Sequence, residues 1–257
     1  EYSTPAITSL QGEYTATQKE LTALMLNAVA AGHAVSDARA KEYMHHGVGR
    51  RLKVLRRCME NVFTLFPLTQ KKPIASDSLD EVQISLHAFV LNLYGLFENL
   101  AWAFVHRHNL ESTIGDRKRI GLFLESTQKY LPEELRAYLS SPTMTSWHKD
   151  YLKNYRDALA HRIPLYIPPS RMTTAESERF TALEEEKLQC IRLQKWDRLD
   201  VVYEEQGAIG TACPMFLHSY SDDFSSRPVY LHPQMLCDIK TVLEFGPLFL
   251  KHWHTHV

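Results

Sequence analysis

The feature that most constrains the fold of this chain is a long apolar repeat between residues 79 and 108. Apolar side chains recur there at intervals of three and four residues, which is the spacing of one face of an α-helix. The repeat consists of Val82, Leu86, Phe89, Val90, Leu93, Phe97, Leu100 and Phe104. A helix this apolar needs other elements packed around it, so we predict that it is the central helix of a bundle.

More amphipathic repeats predict the other helices of the bundle. Residues 13–32, 37–66 and 145–162 each carry an apolar stripe at helical spacing, and weaker or shorter helices are expected at 116–129 and after Pro132. Ser36 and Asp37 provide capping side chains for the 37–66 helix. Pro67 and Pro164 follow the ends of two of these helices, because proline cannot continue one. The predicted fold class is therefore mainly all-α, an antiparallel helical bundle over residues 1–166.

Residues 167–257 are predicted to form a smaller C-terminal accessory region. Residues 163–172 contain three prolines and are interpreted as an extended linker. Helical patterns follow at 174–205 and at 233–253. Between them, residues 215–219 and 228–231 can form a short β-hairpin around Asp222 and Asp223.

Composition excludes several classes of protein. The 257 residues carry a formal net charge of −1, so any nucleic-acid binding must come from local patches. No glycine-rich phosphate-binding motif is present. The four cysteines form no Cys-x-x-Cys pair, and we interpret them as reduced thiols. We find neither a signal-peptide pattern nor an unbroken apolar run long enough to cross a membrane, so a cytoplasmic location without membrane contact is expected.

The segment from Arg156 through Asp157 to His161 carries the clearest chemical signal, because it lies near the end of an amphipathic helix. At about 100° per residue, Asp157 and His161 lie about 40° apart, whereas Arg156 and His161 diverge by about 140°. Arginine holds phosphate groups well, and histidine ordinarily transfers protons near neutral pH. Arginine and histidine also suit the negative end of a helix dipole, so an ordinary helix end is the alternative.

The spacing Arg-polar-x3-His resembles the motif of HEPN domains, an all-α superfamily rich in ribonucleases and in toxin–antitoxin and phage-defence components. The resemblance covers roughly residues 37–166 and places the motif on the last helix, as in the family. It implies a metal-independent endoribonuclease that needs no cofactor. Arg156 would hold the scissile phosphate, His161 would be the general acid or base, and the 2′-hydroxyl of the RNA would be the nucleophile. It also implies a homodimer that brings two motifs together, and an antitoxin or other partner protein.

Asp157, the third catalytic candidate, has two interpretations. It can orient His161 from one helical turn away, or it can line the phosphate cleft as the variable polar position of the motif. Members of the family often carry asparagine there, so an acid at this position departs from the pattern.

Two polar residues, Glu98 and Asn99, interrupt the apolar 79–108 repeat and are predicted to support the site. The resemblance implies that one of them contacts Arg156 or His161. The alternative is that both face the surface of the bundle. Asn92 lies on the same side of the helix as Asn99 and is a weaker candidate.

The densest basic cluster falls on the 37–66 helix, where Arg50, Lys53 and Arg57 share one face opposite the apolar stripe. Such a face can hold an RNA backbone electrostatically. It is equally typical of the solvated side of an amphipathic helix.

No metal site is predicted. His45 and His46 are adjacent on a helix and point apart, and the histidines at 252, 254 and 256 have no acids near them in the sequence. Two functional alternatives to a nuclease stay open. One is a non-catalytic HEPN-like module that binds a nucleotide, RNA or a protein through the same cleft, and the other is a structural scaffold without a ligand.

Overall fold

The structure is a computed structural model, and it describes residues 1–219 and 227–253. The α-helices of its first two thirds are α1 (Thr4–His33), α2 (Ala38–Glu42), α3 (Arg50–Leu65), α4 (Ser76–Arg107), α5 (Glu111–Ile114), α6 (Glu125–Gln128), α7 (Glu133–Leu139), α8 (Pro142–Ser146) and α9 (Asn154–His161). Two π-helical segments, Tyr43–Gly49 and Trp147–Lys153, join α2 to α3 and α8 to α9. The predicted all-α fold class is confirmed.

The central position of α4 agrees with its apolar repeat. The helix packs against α3 and also contacts α2, α9 and both π-helical segments. Its residues Val82, Phe89, Val90 and Leu93 are completely buried. Burying a side chain of this size stabilises a fold by about 1.5–3 kcal/mol, so α4 contributes strongly to the stability of the bundle. The helix is also long and apolar enough to cross a bilayer, but 56% of its most apolar window is buried inside the protein, as in a core helix.

The predicted 37–66 helix is confirmed at both ends and modified in its middle. The carboxylate of Asp37 accepts a hydrogen bond from the Ala40 amide at 2.7 Å and caps α2. The π-helical segment Tyr43–Gly49 then interrupts the α-helical pattern. At Gly47 this segment lies close to α4, since a Cβ there would come within 2.9 Å of the Asn99 side chain. Cys58 on α3 is buried and is a free thiol, which agrees with the interpretation of the cysteines as reduced.

The helix predicted at 116–129 is wrong. The structure has a 3₁₀ turn at Arg117–Arg119 and the short α6 in its place. Gly115, with φ of 81°, ends α5, and the Asp116 side chain accepts a hydrogen bond from the Lys118 amide. The Thr127 hydroxyl accepts from the Gly121 amide and donates to the Arg119 carbonyl. These contacts satisfy backbone groups that a continuous helix would have paired internally.

The predicted linker and hairpin are present as short extended segments. Strands β1 (Met215–Phe216) and β2 (Val229–Tyr230) pair antiparallel, with Met215 opposite Tyr230. The linker adds two isolated bridges, Tyr166 to Leu217 and Arg171 to Thr211. The Asp222–Asp223 pair predicted at the turn lies outside the described residues.

The remaining C-terminal helices belong to two separate hydrophobic clusters. Helices α10 (Thr174–Arg192) and α11 (Trp196–Gly207) pack on each other around Leu183, Val202 and Ile209. The break between them falls at Gln194, which has φ of 54°. Helix α12 (Leu231–Lys251) packs instead along α1, and its buried residues, followed by Trp253, join the core of the bundle. The C-terminal helix therefore completes the bundle that carries the motif.

Candidate functional site

The motif lies on α9, which continues from the π-helical segment Trp147–Lys153. Leu152, Tyr155 and Ala158 form the buried face of this stretch, and α9 packs against α4. The Tyr155 hydroxyl donates a hydrogen bond to the Arg227 carbonyl at 2.7 Å, which ties α9 to the segment before β2. Since these contacts define the inward side, the motif side chains point along the two flanks of the helix. π-helical segments of this kind occur frequently at functional sites.

Arg156 occupies the flank that faces α4. Its guanidinium lies over the Tyr94 ring, 4.1 Å from the ring centroid, and its Nη1 pairs with the Asp157 carboxylate at 2.9 Å. The side chain is 24% exposed. Its Nε is buried and has no hydrogen-bond partner among the described residues. Tyr94 and Asp157 therefore hold the guanidinium in place, and its Nε–H is left as an unused hydrogen-bond donor among the described residues.

The two polar residues of α4 have different surroundings. Glu98 is partly buried next to the motif helix, where burial raises the pKa of its carboxyl and the charge of Arg156 partly offsets that rise. Asn99 is turned about 100° away and accepts a hydrogen bond from Arg51 Nε at 2.7 Å. Within the described residues, no hydrogen bond joins either side chain to Arg156 or His161. Glu98 thus acts on Arg156 through charge, and Asn99 connects α4 to α3.

Asn92, the weaker candidate, shares the surroundings of Asn99. Its carbonyl oxygen accepts a hydrogen bond from Arg51 Nη1 at 3.1 Å, and its amide nitrogen donates to the Ala88 carbonyl. Burial lowers the pKa of the Arg51 guanidinium, and the two asparagines provide its polar partners. Arg51 is therefore a structural residue between α3 and α4.

His161 occupies the opposite flank of α9 and lines an open cleft of about 1270 Å³. The cleft runs between the motif helix and the residues at β2 and the start of α12. His161 is exposed, and in the described parts of the chain its imidazole takes part in no hydrogen bond or ion pair. Asp157 lines the same cleft, but its carboxylate pairs with Arg156 and not with His161. This geometry favours the interpretation of Asp157 as a cleft residue.

A second histidine, His148, lies beside Arg156 and was not predicted from the sequence as a site residue. The His148 ring stacks on Phe123 with centroids 3.7 Å apart and planes inclined by 6°, and it also stacks on Tyr94 at 5.9 Å. Burial lowers the pKa of His148 to about 4, and the charges of Lys153 and Arg156 act in the same direction. Because both ring partners come from other parts of the fold, spacing along the chain carried no signal for this cluster.

A buried carboxylate holds the π-helical segment from beneath. Asp238 on α12 is completely buried and accepts hydrogen bonds from Trp147 Nε1 at 2.9 Å and from the Tyr151 hydroxyl at 2.8 Å. Gln234 Nε2 donates a third hydrogen bond at 2.8 Å. Burial raises the pKa of the Asp238 carboxyl to about 7. The network fixes the segment that leads into the motif helix.

The predicted basic face of α3 does not belong to the cleft. Arg50, Lys53 and Arg57 are exposed, as expected for one face of the helix, and none of them lines the cleft beside His161. Arg57 pairs with Glu60 at 3.1 Å. The predicted RNA-binding face and the predicted catalytic residues thus occupy different surfaces.

The histidines that raised the question of a metal have other contacts. His45 Nε2 lies 3.0 Å from the Val29 carbonyl oxygen, and His252 Nε2 lies 2.6 Å from the Glu134 carboxylate. His254 and His256 lie outside the described residues. Within residues 1–219 and 227–253, no group of three or more histidine, cysteine or acidic side chains is placed to hold a metal ion.

Comparison with known proteins gives no relative for this chain, since it matches no protein-family model, no curated protein and no solved structure. A function is therefore inferred from its own residues.

Proposed function

We propose that this protein is a HEPN-like, metal-independent endoribonuclease. The observation that carries the proposal is the position of His161. It lies one helical turn from the Arg156–Asp157 pair, exposed in a large cleft, and no residue of the described structure engages its imidazole. A histidine with a structural role would be buried or hydrogen-bonded, as His232 is between Tyr2 and the Phe66 carbonyl.

The proposed reaction uses the RNA as its own nucleophile. The 2′-oxygen attacks the adjacent phosphorus while an imidazole accepts the 2′-hydroxyl proton. The bond from phosphorus to the 5′-oxygen breaks, and the leaving oxygen takes up a proton that an imidazole donates. The products are a 2′,3′-cyclic phosphate and a 5′-hydroxyl. Arg156 stabilises the negative charge that develops on the phosphoryl oxygens.

A homodimer is part of this proposal. Arg156 and His161 lie on opposite flanks of α9, so one chain presents the two groups in different directions. A two-fold axis beside α9 would place His161 of one copy near Arg156 of the other, and two imidazoles would then be available as acid and base. The resemblance to HEPN domains also implies a role as an effector in toxin–antitoxin or phage-defence systems. In that role the protein would act with an antitoxin or another partner protein.

A second candidate function is binding without cleavage, as in a non-catalytic HEPN-like module. The observation that favours it is the existing engagement of Arg156, which already has Asp157 and Tyr94 as partners. A substrate phosphate would have to compete with an adjacent carboxylate. In this alternative the cleft holds a nucleotide, RNA or a protein segment, and His161 transfers no proton.

The test is cleavage of total RNA by the purified full-length chain in the presence of EDTA. We expect cleavage by the wild type and its loss in Arg156→Ala and in His161→Ala, with melting temperatures that stay close to the wild type. His161 is exposed, so its replacement should change the free energy of unfolding by less than about 0.5 kcal/mol.

Two matched variants control for general surface effects. His46→Ala removes another exposed histidine. Arg117→Ala removes an arginine that likewise stacks on an aromatic ring, Trp102, and pairs with an acid, Glu111. Both should cleave like the wild type. Undiminished cleavage by His161→Ala would refute the nuclease mechanism, and RNA binding without cleavage by the wild type would favour the second candidate.

A further inference from the structure

A row of side chains spaced four residues apart runs along the cleft. Lys149, Lys153, Asp157 and His161 follow one another on the π-helical segment and α9, and all four line the cleft. Twelve residues of helix advance by about 18 Å, which equals about five stacked nucleotides at 3.4 Å per nucleotide. The row therefore begins well before His161 and leads to it.

The two lysines of this row are available to an external anion. Lys149 and Lys153 are exposed, and neither forms an ion pair with any residue that the structure describes. Several other surface lysines are paired, such as Lys187 with Glu184 and Lys251 with Glu134. Two exposed ammonium groups one turn apart can therefore bind neighbouring negative charges on a ligand.

The two acidic side chains in the described lining of the cleft already have partners. Asp150 accepts a hydrogen bond from the Ser146 hydroxyl at 2.8 Å, and Asp157 pairs with Arg156 at 2.9 Å. Arg227 is exposed on the opposite wall of the cleft, and Arg162 lines its end. Among the residues that the structure describes, four cationic and two anionic side chains thus line the cleft, in a chain whose net charge is −1. The described lining of the cleft is therefore basic, in a protein that does not attract polyanions as a whole.

We propose that single-stranded RNA binds in this cleft with its phosphates on Lys149 and Lys153, so that the strand is delivered to His161. This proposal rests on the proposed function and names its substrate and the residues that hold it. Lysine contacts a phosphate as a point charge, so the row positions the strand without reading its bases. A single strand fits the chemistry because its 2′-oxygen can rotate into line with the scissile bond, which stacking in a duplex prevents.

The experiment measures binding separately from cleavage. Fluorescence anisotropy of a labelled oligouridine is recorded across a salt titration, with the full-length His161→Ala chain as a background that does not cleave. In that background, Lys149→Ala/Lys153→Ala should weaken binding. It should also make the slope of log affinity against log salt shallower by about 1.4, because each phosphate of a single strand that a lysine neutralises contributes about 0.7 to the steepness of that slope. Lys149→Arg/Lys153→Arg should keep the slope.

The matched control is Arg192→Ala/Lys195→Ala, which removes the same charge from exposed positions at the C-terminal end of α10, outside the lining of the cleft. We expect it to leave the slope unchanged. In the cleaving wild-type background, the Lys149→Ala/Lys153→Ala change should raise KM and leave kcat unchanged, because the lysines hold ground and transition states equally. All four positions are exposed, so melting temperatures should stay constant.

Three outcomes would overturn the proposal: an unchanged slope in the Lys149→Ala/Lys153→Ala variant, an equal decrease in the Arg192→Ala/Lys195→Ala control, or tighter lysine-dependent binding of duplex RNA than of the single strand. These experiments can refute the role of the two lysines without refuting the proposed function, and the reverse. If the wild type cleaves RNA and the lysine variant binds and cleaves like it, the row is refuted and the nuclease stands. If the wild type does not cleave but the lysine variant alone loses salt-dependent binding, the row stands and the nuclease is refuted.

Discussion

Replacing Asp238 by asparagine should stabilise this protein at alkaline pH and leave its stability unchanged in acid. The Asp238 carboxylate is completely buried under the π-helical segment and receives hydrogen bonds from Trp147, Tyr151 and Gln234. Burial nevertheless dominates, and it raises the pKa of this carboxyl from 3.8 to about 7. The ionised form is therefore the unfavourable one in the folded protein.

The sign and size of the effect follow from the two pKa values. Between pH 3.8 and about 7 the folded protein keeps the proton of Asp238, whereas the unfolded chain has released it. The contribution to the free energy of unfolding is thus fully present below pH 3.8 and is lost as the pH rises through about 7. With about 3 pH units between the pKa values, at about 1.4 kcal/mol per unit, the loss is about 4 kcal/mol.

An asparagine at this position reproduces the protonated acid. Its Oδ1 can accept from Trp147 and Gln234, as the same oxygen of Asp238 does, and its amide can donate to the Tyr151 hydroxyl oxygen. The variant has no ionised form, so it avoids the loss of stability that accumulates between pH 3.8 and about 7. We expect Asp238→Asn to exceed the wild type by about 4 kcal/mol in alkaline buffer and to equal it in strong acid.

The assay is urea unfolding of both proteins, followed by tryptophan fluorescence at acidic, intermediate and alkaline pH. Burial lowers the pKa values of His148 and His232 to about 4, so both proteins lose stability as the pH falls from 6.5 through about 4. Taking the difference between the two proteins at each pH removes that shared contribution. A difference that does not grow with pH, or a variant less stable than the wild type in alkali, would refute the reasoning.

Three further predictions concern the two polar residues of α4 and the assembly. Glu98→Gln should reduce RNA cleavage more than it lowers the melting temperature, because Glu98 acts on Arg156 through charge, and equal cleavage would contradict that role. Asn99→Ala should instead cost about 1–3 kcal/mol of stability and leave cleavage intact, because it removes a hydrogen-bond partner of Arg51. Light scattering at tens of micromolar should report a homodimer, and a monomer would contradict the composite site.

The helices were predictable because their signals are local. The stripe along α4 recurs at the helical period, so burial of residues such as Val82, Phe89 and Leu93 followed from the sequence. The Asp37 cap also depends only on neighbours in the chain, and it occurs where expected. The prediction failed at 116–129, where Thr127 and Asp116 bond the backbone in ways that a periodicity argument cannot detect.

The candidate site was predictable in part. Residue types and spacing along one helix identified Arg156, Asp157 and His161, and helical geometry already required the divergence of the first and last. The four-residue spacing from Lys149 to His161 was also visible in the sequence. Its position in a cleft was not visible, because the opposite wall consists of Arg227 and the start of α12, which are far from this helix in the sequence.

Fold class, the positions of the long helices and the motif follow from residues that are near one another along the chain, which is why they could be predicted without a structure. Helix packing instead sets which flank of α9 faces α4, which residues surround Arg156, and how α12 completes the bundle and buries Asp238 beneath the π-helical segment. These features join residues that are far apart in sequence, as Tyr94 is from Arg156 and Asp238 from Tyr151. Such contacts depend on how whole helices pack, and local periodicity contains no record of that packing.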